Sequence, residues 1–153
     1  MNLRKINNKD IAEIKSIYFN SINSIDSKFY TKKQKIAWAS QAWTNPEFDK
    51  ILIEGKGWAI DKESSLVTFG IRYPRGRLAL FYSKGEWQKK GFGSTVLKKI
   101  ESDAIDDNVK ILTTEASLIS YKLLLKNNWE IIRKEKIIIN ETSFTRYRMF
   151  KNL

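Results

Sequence analysis

The sequence predicts a single α/β domain in which a mixed, mostly antiparallel sheet is flanked by helices. Segments rich in β-branched and aromatic residues alternate with segments whose apolar residues recur at helical spacing. With 153 residues, of which 42% are hydrophobic, the chain can bury one substantial core. The two prolines, Pro46 and Pro74, mark no linker. We therefore expect one domain spanning residues 1–153.

The first third of the chain predicts one short strand and two helices. Residues 3–6 form the strand candidate. Asn8 is placed to cap a helix whose apolar face carries Ile11, Ile14, Tyr18 and Ile22. The second helix begins at a capping box in which Thr31 and Gln34 satisfy each other's backbone amides.

The remainder predicts strands and helices in alternation. Three strands are expected at 57–60, 66–73 and 77–83, separated by polar turns. A helix at 94–105, a strand at 110–114 and a helix at 118–126 follow. Two final strands, 129–139 and 143–150, flank a turn at Asn140 and Glu141.

Composition limits the chemistry that is available. The chain has no cysteine and no histidine, which excludes disulfides, thiolate metal sites, Ser-His-Asp triads and the usual zinc ligands. The net charge of +11 is spread over both halves and favours acidic ligands.

No apolar run approaches a membrane span, and residues 1–5 lack a secretory signal, so we expect a cytoplasmic protein without a membrane partner. Nucleic-acid binding ranks last because no recognition motif accompanies the charge.

The most informative segment is residues 88–94, between a predicted strand and an amphipathic helix. Gly91 and Gly93 allow a close backbone approach, the first helical amides have no intrahelical partner, and Lys89 and Lys90 add charge. This combination predicts a turn that binds pyrophosphate. The alternative is a glycine turn that only links strand to helix. The spacing matches neither a P-loop nor a dinucleotide fingerprint.

Residues 81–93 resemble motif A of the GNAT superfamily of acetyl-CoA-dependent N-acetyltransferases. Gln88, Gly91 and Gly93 occupy its three defining positions, and Gly85 stands where that family often has proline. Residues 29–39, 116–118 and 127–129, with Met149 and Lys151, are similar to a bacterial YafP-like branch. Asn128 stands in place of that branch's glycine and is suited to a left-handed helix end.

The resemblance implies acetyl-CoA as cosubstrate, without a metal. It also implies that the strand at 81–83 splays from its neighbour and offers backbone amides to the acetyl carbonyl and the pantetheine arm. The alternative for Phe81 and Tyr82 is ordinary strand packing. The residues expected to contact the cofactor are Phe81, Tyr82, Ser83, Gln88, Lys89, Lys90, Gly91, Phe92, Gly93, Ser94, Ser117, Ser120 and Leu124.

The resemblance further implies direct attack of an acceptor amine on the thioester. Many GNAT enzymes carry Asn-x-x-Ala-x-x-x-Tyr, with a tyrosine that protonates the leaving thiolate. Here those three positions are Ser117, Ser120 and Leu124, so the usual tyrosine is missing. Tyr121 is the first candidate acid, on nearly the same helical face, and Tyr82 is the second. A half-buried core tyrosine is the alternative for Tyr121.

Glu115, at the end of a strand that should face the cleft, is the candidate base, acting through water. An exposed strand-end carboxylate is the alternative, and Glu54 is a weaker candidate. Residues 24–30 and Trp38 are expected to contact the acceptor, although Trp38 and Trp43 could instead fill the core. The acceptor, a small-molecule or peptide amine, is not specified by the sequence. A non-catalytic acyl-CoA-binding module remains the alternative function, and a homodimer remains open.

Overall fold

The computed structural model describes all residues from Met1 to Leu153, with seven strands and five helices. Two short 3-10 turns lie at Asn8–Asp10 and Gly85–Trp87. The elements, in chain order, are β1 (Asn2–Lys5), α1 (Ile11–Asn23), α2 (Lys32–Thr44), α3 (Pro46–Glu54), β2 (Lys56–Lys62), β3 (Ser65–Arg72), β4 (Arg77–Ser83), α4 (Phe92–Asp106), β5 (Ile111–Ala116), α5 (Tyr121–Lys126), β6 (Glu130–Ile139) and β7 (Thr142–Asn152).

All seven strands form one sheet in the order β1-β2-β3-β4-β5-β7-β6. Every neighbouring pair is antiparallel except β4 and β5, which are parallel. The predicted mixed, mostly antiparallel sheet is therefore confirmed. The single parallel pair requires a crossover, which α4 provides.

Helices cover both faces of the sheet, because the central strand β3 is buried along almost its whole length and needs apolar cover on each side. One cluster joins α1, α2 and α3 to one face, with Ile14, Phe48 and Phe69 among its members. The other joins α4 and α5 to the opposite face, around Leu97 and Trp129. None of the five helices is both long and apolar enough to cross a bilayer.

Two local predictions are confirmed by the backbone. Thr31 and Gln34 form the reciprocal capping box at the start of α2. Asn128 has φ of +67°, the left-handed conformation expected after α5.

Several helices differ from prediction, including α4, which begins at Phe92 and not at residue 94. Asn7, not Asn8, accepts the capping hydrogen bond, because a 3-10 turn precedes α1. Helix α3 was not predicted, although Asn45 caps it and Pro46 occupies its first turn, both typical start signals. Helix α5 begins at Tyr121 instead of residue 118, because the preceding residues form a separate serine-capped turn.

Candidate active site

A cleft opens where β4 and β5 separate. The two strands pair only through Arg77 with Thr113 and Leu78 with Thr114. The Thr114 hydroxyl donates to the Leu78 carbonyl at 2.7 Å and closes the narrow end. Immediately beyond, β4 has a bulge at Ala79, where the register with β3 shifts by one residue. Because a bulge bends its strand, β4 diverges and its edge from residue 79 onward is unpaired toward β5.

The cleft has a volume of ≈ 920 Å³ and passes through the sheet. On the α4 and α5 side it is lined by Gly93, Leu123 and Leu124. On the α1 and α2 side it is lined by Ile22 and Trp38, among others. The lining therefore draws on the helical layers of both faces, and two ligands can meet between β4 and β5 from opposite sides. We call these openings the α4 mouth and the α2 mouth.

The α4 mouth carries a run of free backbone donors. The first helical hydrogen bond of α4 runs from the Thr95 amide to the Gly91 carbonyl at 3.2 Å. The six amides of residues 89–94 have no hydrogen-bond partner in the protein. They lie at the positive end of a fifteen-residue helix, where anions are stabilised. Lys89 and Lys126 line the same cleft, so this mouth suits a diphosphate.

The two glycines of the loop have different roles. Gly91 has φ of +85° and no atom within 4 Å of the position of a Cβ, so glycine is favoured there by backbone conformation. At Gly93, a Cβ would lie 2.9 Å from Leu123 Cδ2 and 3.4 Å from Phe81 Cζ. Gly93 therefore allows the start of α4 to pack closely against α5 and β4.

Most residues expected at the cofactor do line the cleft: Phe81, Tyr82, Ser83, Gln88, Lys89, Gly91, Gly93, Ser94, Ser117, Ser120 and Leu124. Two do not. The Lys90 side chain is exposed outside the cleft, and Phe92 turns away to pack against Trp87, with ring centroids 6.0 Å apart. The reason is the turn into α4, which directs successive side chains to different sides.

Ser117 and Ser120 form a closed hydrogen-bonded turn before α5. The Ser117 amide donates to Ser120 Oγ at 3.0 Å, and the Ser120 amide donates to Ser117 Oγ at 3.0 Å. The Ile119 amide also donates to Ser117 Oγ. Both hydroxyls line the cleft, but their main contacts shape the chain between β5 and α5.

The candidate tyrosines occupy different places. Tyr121 lies outside the cleft lining, because its ring stacks on Tyr147 of β7 with centroids 4.4 Å apart. Spacing placed it near the face of Leu124, but the three-residue offset turns it toward β7. Tyr82 lines the cleft and packs edge-on against Tyr18 at 4.9 Å. Burial raises the pKa of Tyr82 well above its usual value, so its hydroxyl stays protonated.

Hydrogen bonding separates the tyrosines further. Tyr18 donates to the Trp38 carbonyl at 2.6 Å and Tyr30 accepts from the Leu118 amide at 2.9 Å, whereas the Tyr82 hydroxyl donates to no protein acceptor and has the Trp38 side chain beside it as a donor. Tyr82 therefore keeps its proton free for a ligand. Tyr30 also lines the cleft, and the sequence indicated it only as part of the segment 24–30.

Glu115 lines the cleft and is paired with Arg77. Arg77 Nε lies 3.2 and 3.0 Å from the two carboxylate oxygens, and the Glu115 side chain is 18% exposed. A carboxylate has about four acceptor positions, so Glu115 retains capacity for a ligand proton. Glu54 lies at the end of α3 and lines a separate small cavity.

The tryptophans also differ. Trp38 lines the cleft, on the α2 side, and contacts the ring of Tyr30. Trp43 is 58% exposed and packs against Phe19, so it does not fill the core.

Comparisons with known proteins agree with this architecture. A GCN5-related N-acetyltransferase from Rhodopseudomonas palustris matches with a TM-score of 0.92 and 22% identity over 99% of this chain and 95% of that one. The PaiA N-acetyltransferase from Thermoplasma acidophilum, solved with coenzyme A, matches with a TM-score of 0.75 and 14% identity over 100% of both chains. YncA from Salmonella typhimurium, solved with its cofactor acetyl-CoA, matches with a TM-score of 0.68 and 13% identity over 100% of this chain and 94% of that one.

No protein-family model matches the sequence, and no curated protein matches it either. At these identities the structural likeness establishes the fold: the chain has the fold of the GCN5-related N-acetyltransferases.

Proposed function

We propose that this chain is an acetyl-CoA-dependent N-acetyltransferase of the GNAT superfamily. One observation carries the proposal: a cleft crosses the sheet between diverging parallel strands, and one mouth presents six free backbone amides at the start of α4. The finer assignment to a YafP-like bacterial branch rests on the sequence likeness.

The α4 mouth would hold the coenzyme. The free amides of residues 89–94, with Lys89 and Lys126, provide donors and positive charge for the diphosphate. The unpaired edge of β4 at residues 79–83 provides backbone groups for the pantetheine arm and the acetyl carbonyl. Acetyl-CoA itself supplies an activated acetyl thioester.

The reaction forms one bond and breaks one. The neutral acceptor nitrogen bonds to the acetyl carbon, the carbon–sulfur bond breaks, and the proton displaced from nitrogen ends on the departing sulfur. Glu115 accepts the proton that an incoming ammonium loses when it becomes a neutral amine. Tyr82 relays the proton displaced from nitrogen: its own hydroxyl proton goes to the sulfur, and the displaced proton replaces it on the hydroxyl oxygen. Holding both substrates in the cleft supplies most of the acceleration, since effective molarities reach about 10⁵ M or more.

Tyr82→Phe tests this assignment against Tyr121→Phe as a matched control. The first change removes the hydroxyl of a tyrosine that lines the cleft, and we expect kcat to fall about 100-fold. The second removes a hydroxyl outside the cleft and should leave kcat within about 2-fold. Thiol release is the measurement. Equal losses in both variants, or a loss only in Tyr121→Phe, would contradict the role of Tyr82.

Titration calorimetry with acetyl-CoA tests the proposal as a whole. We expect binding in the micromolar range, and its absence would remove the proposal.

A non-catalytic acyl-CoA-binding module is the second candidate, favoured by Leu124 at the position of the missing tyrosine. Tight coenzyme binding without thiol release across a broad panel of amines would select that candidate.

A further inference from the structure

An ionic row lines the sheet face that leads to the α2 mouth. Arg77 of β4 pairs with Glu115 of β5 at 3.0 Å. Glu135 of β6 pairs with Arg146 and Arg148 of β7, at 2.6 and 2.8 Å, and with Arg133 of its own strand at 3.3 Å. Four arginines thus face two carboxylates, and positive charge is in excess. This inference rests on the proposed function and concerns the acceptor.

Arg146 has unused hydrogen-bond donors at the cleft. Its Nε donates to Glu135, but its two Nη groups make no hydrogen bond in the protein. Its side chain is 25% exposed and lines the cleft. Arg148 binds the same carboxylate through Nε but does not line the cleft. Only one of these two similar arginines can therefore reach a ligand there.

Strand register places Arg146 close to Glu115. Glu115 lies directly opposite Arg148 in the β5–β7 pairing, and Arg146 is two residues further along the same face. Such diagonal neighbours have Cβ atoms about 7 to 8 Å apart, within reach of long side chains. A carboxylate that can still accept hydrogen bonds and a guanidinium that can still donate them therefore line one cleft. That pair matches the ammonium and carboxylate of an α-amino acid.

Much of the rest of the α2 mouth is apolar, although Ser21 of α1 also lines the cleft. Its lining includes Ile25, Ile119, Ile137 and Phe144, together with the ring of Tyr30. A polar acceptor side chain would lose its water there and find few partners, whereas an apolar one gains from burial.

We propose that the acceptor is a free α-amino acid with a bulky apolar side chain. Glu115 receives the ammonium and Arg146 the carboxylate. The ammonium loses one proton through Glu115, its neutral nitrogen forms the amide bond, and the second displaced proton goes to the sulfur as the thioester bond breaks.

Three acceptors that differ at one group test the proposal: L-phenylalanine, L-phenylalaninamide and phenethylamine. Thiol release gives kcat/KM for each, divided by the fraction of the acceptor that is present as the ammonium form, which is the form that Glu115 receives. We expect L-phenylalanine to exceed the other two by about 10- to 100-fold, because a charge-assisted hydrogen bond is lost without the carboxylate. Arg146→Gln should bring the three within about 3-fold of one another.

Arg148→Gln is the matched control, since it removes the same kind of pair with Glu135 on the same strand. It should keep the preference for the carboxylate. Equal rates for acid and amide in the wild type, or the same loss of preference in both variants, would overturn the proposal.

Calorimetric binding of the same three compounds separates this proposal from the proposed function. If acetyl-CoA fails to bind, the proposed function falls, and the binding preference and its loss in Arg146→Gln still decide the acceptor site. If acetyl-CoA binds but none of the three compounds is bound or acetylated, the acceptor proposal falls alone.

Discussion

Replacement of Gly91 by alanine should weaken coenzyme binding through backbone strain. Gly91 has φ of +85°, and a Cβ there would meet no atom within 4 Å, so the cost is conformational and not steric in the free protein. A left-handed alanine costs about 1–2 kcal/mol. The exposed loop relieves that strain by leaving the conformation that aligns its amides. Binding must restore that strained conformation, so we expect the Kd for acetyl-CoA to rise about 5- to 30-fold.

Gly91→Asn is the informative companion, because asparagine tolerates the left-handed region better than alanine. Calorimetry should give Gly91→Asn a Kd between those of the wild type and Gly91→Ala. If both variants lose affinity equally, a side chain contacts the ligand and strain is not the cause. If neither loses affinity, the turn does not hold the diphosphate and the reasoning fails.

Two further predictions concern stability. Hydrogen bonds from Arg146, opposed by desolvation and supported by Arg148, lower the pKa of Glu135 from its ordinary 4.5 to about 2. The stabilisation from this pairing is complete above about pH 4.5 and is lost as the pH falls toward 2. Urea unfolding of Glu135→Gln should therefore show a smaller decrease in the free energy of unfolding between pH 4.5 and 2 than the wild type shows. The same pH dependence in both proteins would contradict the pairing. Trp129→Phe removes the donor 3.0 Å from the buried Glu101 carboxylate and should lower the free energy of unfolding by about 2–4 kcal/mol, whereas a change below about 0.5 kcal/mol would refute that bond's importance.

Local signals in the sequence predicted much of the fold. The capping box at Thr31 and Gln34 fixed the start of α2, because its hydrogen bonds form within four residues. The left-handed conformation of Asn128 was predicted from the resemblance, in which this residue stands in place of a glycine. Glu115 was expected at the cleft because it ends a strand, and its side chain does line it.

The pairing of Glu115 with Arg77 was not predictable. The two residues are thirty-eight positions apart, and they meet only because β4 and β5 are adjacent and parallel. Which tyrosine lies at the cleft also depends on contacts between residues that are distant in the sequence. Helical spacing brought Tyr121 near Leu124, but the ring of Tyr147, on a distant strand, draws it away from the cleft.

Alone, the amino-acid sequence determined the alternation of strands and helices and the turn at residues 88–94, because capping, periodicity and glycine conformation act over a few residues. Tertiary structure decided where β4 and β5 part and which side chains share the gap. Those features depend on a bulge and on pairings between distant strands, which come together only when both faces of the sheet are buried.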